Sequence, residues 1–516
     1  MITTTPPESG MQESVFAFLS DPTMHPRVHR IDTHAASVFL EGDRALKIKR
    51  AVCFPFLDYS TLEKRKAACD EEININRQFA PQIYRRVVPI TQDSDGSLDI
   101  DGDGTPVEFA VEMTRFDERQ TIDHLAEAGE PDSDLVNAIA DAIGASHAVA
   151  PRAAAEPWVE SIPTFIEGNT TAFRTSACFP ESDIDDLSAA SQSAYLRIRE
   201  LLRQRGSEGY VRRCHGDLHL ANIVLIERKP VLFDAIEFDP TIASVDVLYD
   251  LAFPIMDFIR YDRHAAANAL LNRYLAMTSV ENLDALAAFP LFTSLRAAIR
   301  ANVLLARLAR ACDDKADIMQ SARAYFELAH LTIRPSAPKL VAVGGLSGTG
   351  KSVLARALAP GVTPLPGAIV LRADVLRKQR FQLTEADKLP ESAYTPEITA
   401  QIYQVLVQRA IRILVQGQSV IVDAVFAHET ERAAICDAAR KLNIRFVGLF
   451  LATDLATRVS RVGRRERDAS DATPEIAETQ EKYNIGRLDW AVIDASGTPE
   501  QTLVQCQARI AHRDPA

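Results

Sequence analysis

A glycine-rich run near residue 350 is the part of the sequence best suited to chemistry. It reads Gly345-Leu-Ser-Gly-Thr-Gly-Lys351-Ser352 and fits the Walker A pattern G-x-x-x-x-G-K-[ST] at every fixed position. Glycines in such a run let backbone N–H groups turn toward a phosphate, and the helix that follows adds its positive N-terminus. Lys351 is expected to contact the β- and γ-phosphates of ATP, and Ser352 to bind Mg²⁺. The predicted nucleotide-binding set is Gly345, Ser347, Gly348, Thr349, Gly350, Lys351 and Ser352.

The apolar pattern around this motif predicts the strands and the helix that could position it. Residues 340–343 predict a strand before it and residues 352–358 a helix after it, and two further strands are predicted to end in Asp374 and Asp423. Because the carboxyl ends of parallel strands meet the ligand crevice, both acids are expected to face the nucleotide. Asp374 is then placed to accept a proton from a substrate hydroxyl, Arg377 to hold substrate or phosphate, and Asp423 to support Mg²⁺. For each aspartate the alternative is a helix N-cap.

Arginines crowd the segment after a strand predicted at residues 446–451. Spacings of three and four residues put Arg458, Arg461 and Arg465 on one face of a helix. A lid with arginines over the γ-phosphate would neutralise the charge that develops during transfer, and we expect Arg461 and Arg464 to contact the nucleotide. The alternative is a solvated basic helix paired with nearby acids.

Together these motifs resemble those of the P-loop small-substrate kinases, which include gluconate kinase, chloramphenicol phosphotransferase, zeta toxins and the kinase domain of polynucleotide kinases. The resemblance rests on the glycine-rich run, on Asp374-x-x-Arg377, on Val420-Ile-Val-Asp-Ala and on the arginine-rich segment, and it covers roughly residues 338–500. It implies ATP as the phosphate donor and Asp374 as the general base for the accepting hydroxyl. Because acceptors in these families range from sugars to nucleotide-sugars and RNA ends, the acceptor stays open.

A second group of candidate residues lies in the first half of the chain. His215-Gly-Asp217-Leu-His-Leu-Ala-Asn222 has the form H-x-D-x-x-x-x-N. Kinase chemistry uses an aspartate to orient the accepting hydroxyl and an asparagine from the same loop to bind Mg²⁺, and these are Asp217 and Asn222 here. An apolar run ends at Asp234, which is the candidate for a further metal ligand.

The remaining parts of this second candidate site lie upstream. Lys47 ends an Ala-x-Lys strand pattern and matches the phosphate-binding lysine of kinases. Glu72, in a helix predicted for residues 62–79, is the candidate ion-pair partner of Lys47, with Glu71 as the alternative. Residues 111–113 are expected to form the adenine-binding segment.

These parts, in this order, resemble the aminoglycoside phosphotransferase superfamily, a branch of the protein-kinase-like fold. HGDLHLAN followed by FDAIEFD is the most specific element, and the resemblance covers most of residues 28–330. The whole chain resembles bacterial two-domain proteins that join such a domain to a P-loop kinase domain. One departure is that residues 33–37, where a glycine-rich loop is expected, contain no glycine. An active kinase and a degenerate scaffold both stay open for this half.

The domain organisation follows from the distribution of strand and helix patterns. Strand patterns dominate residues 28–115 and helical patterns follow, which predicts an α+β domain. Pro335 and Pro338 end a helical stretch of about residues 291–331 and precede the apolar strand of the glycine-rich run. We predict an α+β protein-kinase-like domain at residues 11–333, a linker at 334–338 and an α/β P-loop domain with a parallel sheet at 339–516.

Composition narrows the class of protein. The formal net charge of −13 disfavours a non-specific nucleic-acid binder, because an acidic surface repels phosphate backbones. The seven cysteines include no CxxC pair, which favours free thiols in a reducing compartment. The polar N-terminus lacks the apolar core of a secretory signal, and no apolar run reaches the roughly 18 residues that span a bilayer. We therefore expect a cytoplasmic protein without a membrane partner.

Our leading hypothesis is an ATP- and Mg²⁺-dependent kinase that phosphorylates a hydroxyl of a small molecule such as a sugar, cyclitol or nucleoside. Asp374 and Asp217 are its candidate bases. One alternative is a 5′-hydroxyl polynucleotide kinase, which the acidic charge disfavours. Another is a regulatory ATPase switch without a small acceptor, and the two candidate bases argue against it because a switch needs no acceptor base. The sequence does not indicate the oligomeric state.

Overall fold

The computed structural model describes residues 9–33, 35–54, 57–309, 314–463 and 470–511. Their contacts divide the chain into two compact units. The first consists of Met1–Phe165 and Arg199–Asp257, and the second of Ile166–Ile198 and Phe258–Ala516. Among the helices of the described ranges, none combines the length and the apolar character needed to cross a membrane.

The strands of the first unit are all paired antiparallel. They are β1 (His29–Asp32), β2 (Ala36–Glu41), β3 (Arg44–Lys49), β4 (Cys53–Phe54), β5 (Leu57–Asp58), β6 (Tyr84–Gln92), β7 (Leu98–Ile100), β8 (Thr105–Thr114), β9 (Val211–Arg213), β10 (Ile223–Ile226), β11 (Lys229–Leu232) and β12 (Ser244–Asp246). Six of them form one sheet in the order β1–β2–β3–β8–β6–β7. The others form the two-stranded ladders β4–β5, β9–β12 and β10–β11.

Helices cover both faces of this sheet. Those within the first unit are α1 (Ser9–Ser20), α2 (Leu62–Asn76), α3 (Ile122–Ala128), α4 (Ser133–Val149) and α7 (Pro240–Ala243), and the residues of α5 (Glu156–Ser176), α6 (Glu181–Glu208) and α8 (Val247–Arg260) are divided between the units. Leu46 and Ile48 of β3 pack with Phe16 of α1. Because strand side chains alternate between faces, Lys47 and Lys49 point to the opposite face, toward α2.

A five-stranded sheet is the centre of the second unit. Its strands are β13 (Lys339–Gly345), β14 (Ile369–Arg372), β15 (Val420–Asp423), β16 (Arg445–Ala452) and β17 (Ala491–Asp494). They run in the order β14–β15–β13–β16–β17, and every pair is parallel. The buried runs of β13 and β15 are apolar without alternation, as expected for strands covered on both faces.

Helices complete the second unit. They are α9 (His264–Met277), α10 (Phe289–Leu308), α11 (Lys315–Ile333), α12 (Lys351–Leu358), α13 (Ala373–Arg380), α14 (Pro396–Val415), α15 (Glu429–Lys441), α16 (Leu455–Gly463), α17 (Pro474–Gln480) and α18 (Pro499–Ala511). Several of them, among them α12, α14 and α15, pack against the parallel sheet. Helix α9 lies against the edge strand β14, where Asn272 accepts a hydrogen bond from the Val370 N–H at 2.7 Å and donates to the Ala368 carbonyl at 3.1 Å. The side chain of Asn272 thus satisfies backbone groups of an edge strand.

The predicted classes agree with this architecture, since an antiparallel sheet with helices precedes an all-parallel sheet. Some element bounds differ. The helix predicted for residues 62–79 ends at Asn76, whose side chain instead exchanges hydrogen bonds with the backbone of Ala235. The helical stretch near residues 291–331 contains two helices, α10 and α11, and these helices belong to the same compact unit as the parallel sheet.

Candidate active sites

The loop between β13 and α12 adopts a backbone that depends on glycine. Gly345, Gly348 and Gly350 have φ values of +138°, +90° and +93°. A Cβ at Gly348 would lie 2.5 Å from the Arg458 carbonyl oxygen, so a side chain would not fit there. Left-handed backbone and close packing therefore both explain the glycines of the motif.

Polar groups of three neighbouring strand ends meet beside this loop. The Ser352 hydroxyl donates to Asp423 Oδ2 at 2.6 Å, and Arg372 Nε lies 3.4 Å from the same oxygen. The Lys351 ammonium donates to the Leu346 carbonyl at 3.2 Å. The structure therefore brings together Lys351, Ser352 and Asp423, although Asp423 follows Ser352 by 71 positions in the sequence.

Asp374 lies in the first turn of α13, close enough to Asp423 for their charges to interact. Burial raises the pKa of Asp374, and the negative charge of Asp423 raises it further, while Lys351 and Arg372 oppose the shift. Arg372 and His428 occupy the N-caps of the helices that follow the two strands, so neither aspartate is the N-cap of those helices. A carboxylate with a raised pKa beside a phosphate-binding loop suits proton abstraction.

The arginines expected around this site differ in their contacts. Arg377 is buried, donates to the Ala393 carbonyl at 2.6 Å and lies over the Tyr394 ring at 4.9 Å. Arg461 donates to the carbonyls of Ala495 and Gly497 at 2.8 and 3.0 Å.

The expected lid of arginines over the γ-phosphate stays a prediction, and in this structure two of its arginines contact other groups. Arg461 is held by the turn after β17, because its guanidinium satisfies backbone carbonyls there. Arg458 is buried and pairs with Glu481, so it does not form an exposed basic face with Arg461. Arg464, the other arginine expected to contact the nucleotide, lies outside the described residues, as does Arg465.

A cavity of about 490 Å³ opens in the first unit between the antiparallel sheet and the loop that follows α6 and β9. Its walls include the β1–β2 hairpin, so this hairpin borders the cavity although it has no glycine. The end of β8 and the residues after it border it as well. Charged groups from three predicted motifs line the cavity, and these are Lys47, Asp217 and Asp234. Apolar walls come from Val38, Ala45, Met113, Phe116 and Phe233.

Lys47 lies between two carboxylates at the edge of this cavity. Its ammonium is 2.8 Å from Glu72 Oε1 and 2.5 Å from Asp234 Oδ1. Burial would lower the pKa of Lys47, but the charges of Asp234 and Glu72 outweigh it and keep the pKa well above its ordinary value. Glu71 is exposed and accepts a hydrogen bond from Asn74, so Glu72 is the partner of Lys47 in this structure.

The loop with Asp217 and Asn222 is held by buried acids of α8. The Asn222 amide donates to the Asp217 carbonyl at 2.9 Å. Asp250 accepts from the Gly216 N–H at 3.0 Å and Asp257 from the Leu220 N–H at 3.1 Å. The β10–β11 ladder continues to this loop, because the N–H of Phe233, next to Asp234, donates to the Asn222 carbonyl at 3.0 Å.

Sequence reasoning missed two charged residues of this site, Lys49 and Glu237. Lys49 lies 2.6 Å from Glu72 Oε2 and forms a buried ion pair with Glu237. One signal was available, since Lys49 follows Lys47 by two positions and must share its face of the strand. The pairing of Lys49 with Glu237 joins residues 188 positions apart, and no local pattern indicates it.

Two regions of the chain match models of protein families. Residues 56–289 match the model of the phosphotransferase enzyme family. Residues 340–484 match the model of an AAA domain. We refer to the part of the chain that contains residues 56–289 as the phosphotransferase-family domain, after the model that it matches, and to the part that contains residues 340–484 as the P-loop domain, after its glycine-rich loop. An uncharacterized protein of Mycobacterium tuberculosis is 28% identical to this chain over 501 residues, which cover 94% of the chain and 95% of the relative.

Two solved structures are similar to parts of this chain. A gluconokinase from Sinorhizobium meliloti is 18% identical, matches 34% of this chain and 92% of its own, and has a TM-score of 0.25. A choline/ethanolamine kinase family protein from Mesorhizobium loti is 14% identical, matches 63% of this chain and 99% of its own, and has a TM-score of 0.36.

The phosphotransferase-family domain should respond to acid through Glu72. Burial would raise the pKa of Glu72, but Lys47 and Lys49 lower it from 4.5 to about 2. A carboxylate whose pKa is lower in the folded than in the unfolded state stabilises the fold above the unfolded value, and this contribution disappears as pH falls from 4.5 toward 2. Glu72→Gln should therefore have a lower Tm than wild type at neutral pH, by a difference that shrinks below pH 4.5. Thermal unfolding followed by near-UV circular dichroism across this pH range measures the difference, and a constant difference would contradict the prediction.

Proposed function

We propose that the protein transfers the γ-phosphate of Mg²⁺–ATP to a hydroxyl of a small molecule such as a sugar, cyclitol or nucleoside. The observation that supports this best is the position of Asp374, a partly buried carboxylate of raised pKa whose charge interacts with Asp423 and with Lys351 of the phosphate-binding loop. A nucleotide switch has no need of such a base, whereas transfer to a hydroxyl requires one. The free thiols of the six described cysteines agree with a cytoplasmic location.

In the P-loop domain we assign each group one task. Backbone N–H groups of the loop and the Lys351 ammonium would bind the β- and γ-phosphates. The oxygens of Ser352 and Asp423, now 2.6 Å apart, are the ligand type that Mg²⁺ prefers, and bound Mg²⁺ would neutralise phosphate charge. Asp374 would take the proton of the attacking hydroxyl. Arg377, whose Nε finds no hydrogen-bond partner among the described residues, would hold the acceptor or its new phosphate.

In the phosphotransferase-family domain a second set of side chains could carry out the same reaction. Lys47 would bind phosphate, Asp234 and Asn222 would bind Mg²⁺, and Asp217 would orient the accepting hydroxyl. The apolar walls of the cavity would receive the adenine, near Met113. The ion pair of Lys47 with Glu72 favours an active kinase over a degenerate scaffold, because active kinases require this pair.

Transfer of labelled phosphate from Mg²⁺–ATP to a panel of sugars, cyclitols, nucleosides and 5′-hydroxyl oligonucleotides tests the proposal. Wild type, Lys351→Ala and Lys47→Ala are compared, so that each domain is disabled in turn. A labelled small molecule that disappears with one variant supports the proposal and assigns the reaction to that domain. Label on oligonucleotides alone would favour a polynucleotide kinase. ATP hydrolysis that no acceptor changes would favour a switch.

A further inference from the structure

Five buried or partly buried charges form a continuous series in the phosphotransferase-family domain. Their order is Asp234, Lys47, Glu72, Lys49 and Glu237, and each neighbouring pair is in contact. Glu72 is at the centre and uses one carboxylate oxygen for each lysine, at 2.8 and 2.6 Å. The series therefore has two ends, and both ends belong to the loop after β11.

The two ends differ in exposure and in their further contacts. Asp234 is partly exposed at the cavity, with 43% of its side chain accessible. Glu237 is buried, with 7% accessible, and also accepts a hydrogen bond from the Tyr59 hydroxyl at 3.2 Å. Lys49 is buried too, and the charges of Glu72 and Glu237 outweigh the effect of burial so that the pKa of Lys49 stays raised. The Lys49–Glu237 end is thus the enclosed end of the series.

Nucleotide binding would change only the exposed end. In the proposed function, which this inference extends, Lys47 turns to the phosphates and Asp234 to Mg²⁺, so their direct pair at 2.5 Å must open. Glu72 would keep its two ion pairs, one with Lys47 and one with Lys49, so the enclosed end of the series would stay as it is. Helix α2, which contains Glu72, is also joined to the same loop by Asn76, whose amide group exchanges two hydrogen bonds with Ala235.

We propose that Lys49 and Glu237 are positioning residues of this nucleotide site, which hold Glu72, and through it Lys47, in the phosphate-binding arrangement with and without nucleotide. In protein kinases the lysine–glutamate pair forms only when its helix is correctly placed, and regulation acts on that helix. Here Lys49 and Glu237 fix the corresponding helix α2 to β3 and to the metal-binding loop. The site is therefore assembled before ATP arrives.

The test uses the full chain with Lys351→Ala as the parent, so that Mg²⁺–ATP binding reports the phosphotransferase-family domain. Lys49→Met and Glu237→Gln are each expected to weaken Mg²⁺–ATP binding at least about tenfold by calorimetry, and to lower Tm because each removes one partner of a buried charge. The double variant removes both charges of the pair. It should regain part of the lost Tm while its affinity stays low, since Glu72 still lacks Lys49.

A buried ion pair of the same domain provides the control. Arg65 Nε lies 2.9 Å from both oxygens of Glu108, and Glu108 also accepts from Gln12. Arg65 lies in the first turn of α2, so this pair also joins that helix to the sheet. Glu108→Gln should lower Tm in the same way but keep Mg²⁺–ATP affinity within about twofold, because Glu72 keeps both of its lysines. Equal loss of affinity in this control would show that Lys49 and Glu237 act only through stability, and would overturn the inference.

Two other outcomes separate this inference from the function on which it rests. If the parent binds Mg²⁺–ATP and Lys49→Met binds it equally well, the positioning role is wrong while the nucleotide site stands. If the parent binds none, the proposed nucleotide site of this domain is itself wrong, and the positioning role falls with it.

Discussion

Replacement of Asp374 by asparagine should lower acceptor phosphorylation by the P-loop domain about 10²- to 10⁴-fold, the range that a positioned general base contributes. Asparagine has nearly the same shape but cannot accept the hydroxyl proton. The affinity for Mg²⁺–ATP should change little, because Lys351, Ser352 and Asp423 remain in place. Steady-state transfer to the identified acceptor, in a chain that also has Lys47→Ala, measures the rate of this domain alone.

An exposed aspartate of the same domain gives the matched control for this variant. Asp437 lies on α15 and pairs with Arg440 at the surface, so Asp437→Asn removes one negative charge away from the loop. Its transfer rate should equal that of the parent. An unchanged rate in Asp374→Asn would mean that another group is the base. A parallel loss of rate and of Mg²⁺–ATP affinity would instead assign Asp374 to metal or phosphate binding.

The phosphate-binding loop could be predicted from sequence because its physical requirements are local. Left-handed backbone at three glycines, a lysine and a hydroxyl at the start of a helix are all fixed within eight consecutive residues. The end of β15 at Asp423 was also predictable, since a continuous apolar run indicates a buried parallel strand and the acid marks its end. The strand predicted to end in Asp374 ends at Arg372, and Asp374 lies in the first turn of α13. Both acids could still be expected near the same edge of the sheet, because the carboxyl ends of parallel strands share that edge.

Long side chains whose partners are distant in sequence were less predictable. Helical spacing predicts which arginines share a face of the helix, but it does not predict which groups that face contacts. Arg461 donates hydrogen bonds to the carbonyls of Ala495 and Gly497, which lie more than 30 positions away in the sequence. Glu237 is a similar case, because its pairing with Lys49 depends on the return of the chain after β11. The contacts of Arg461 and of Glu237 both depend on tertiary packing, which the periodicity of the sequence does not predict.

The organisation of the helices near residue 300 shows another limit of local patterns. Prolines at 335 and 338 correctly mark the end of α11 and the start of a new sheet. They do not indicate that Asn272 of α9 would satisfy the edge strand β14, or that α9–α11 would belong to the compact unit of that sheet. Prolines in the sequence predict where helices and strands end, whereas side-chain contacts determine which helices and strands form one compact unit. The domain bounds proposed from the sequence remain a prediction.

The largest loss of stability is expected from Asp246→Ala. Arg205 of α6 and Asp246 of β12 are both buried, and Nε and Nη2 of the arginine donate to the two carboxylate oxygens at 2.7 and 2.9 Å. Removing the carboxylate leaves a buried guanidinium without its counter-charge, which costs about 3–5 kcal/mol in comparable pairs. Asp246 also accepts from the Leu248 N–H at 2.8 Å at the start of α8, and this contact would be lost as well. Urea unfolding monitored by tryptophan fluorescence gives the free energy, and a loss below about 1 kcal/mol would contradict the prediction.

Two matched variants separate the contributions of charge and of the backbone contact at this site. Asp246→Asn keeps an oxygen for the Leu248 N–H but removes the negative charge. It should show most of the stability loss of Asp246→Ala if the missing counter-charge of Arg205 is the main cause. Arg205→Met combined with Asp246→Asn removes both charges and should be more stable than Asp246→Ala, because no buried ion is left unpaired. Helix α8 supplies Asp250 and Asp257, which hold the Asp217 loop. If the double variant recovers stability, phosphate transfer by this domain should recover with it, since the loop then keeps its anchors.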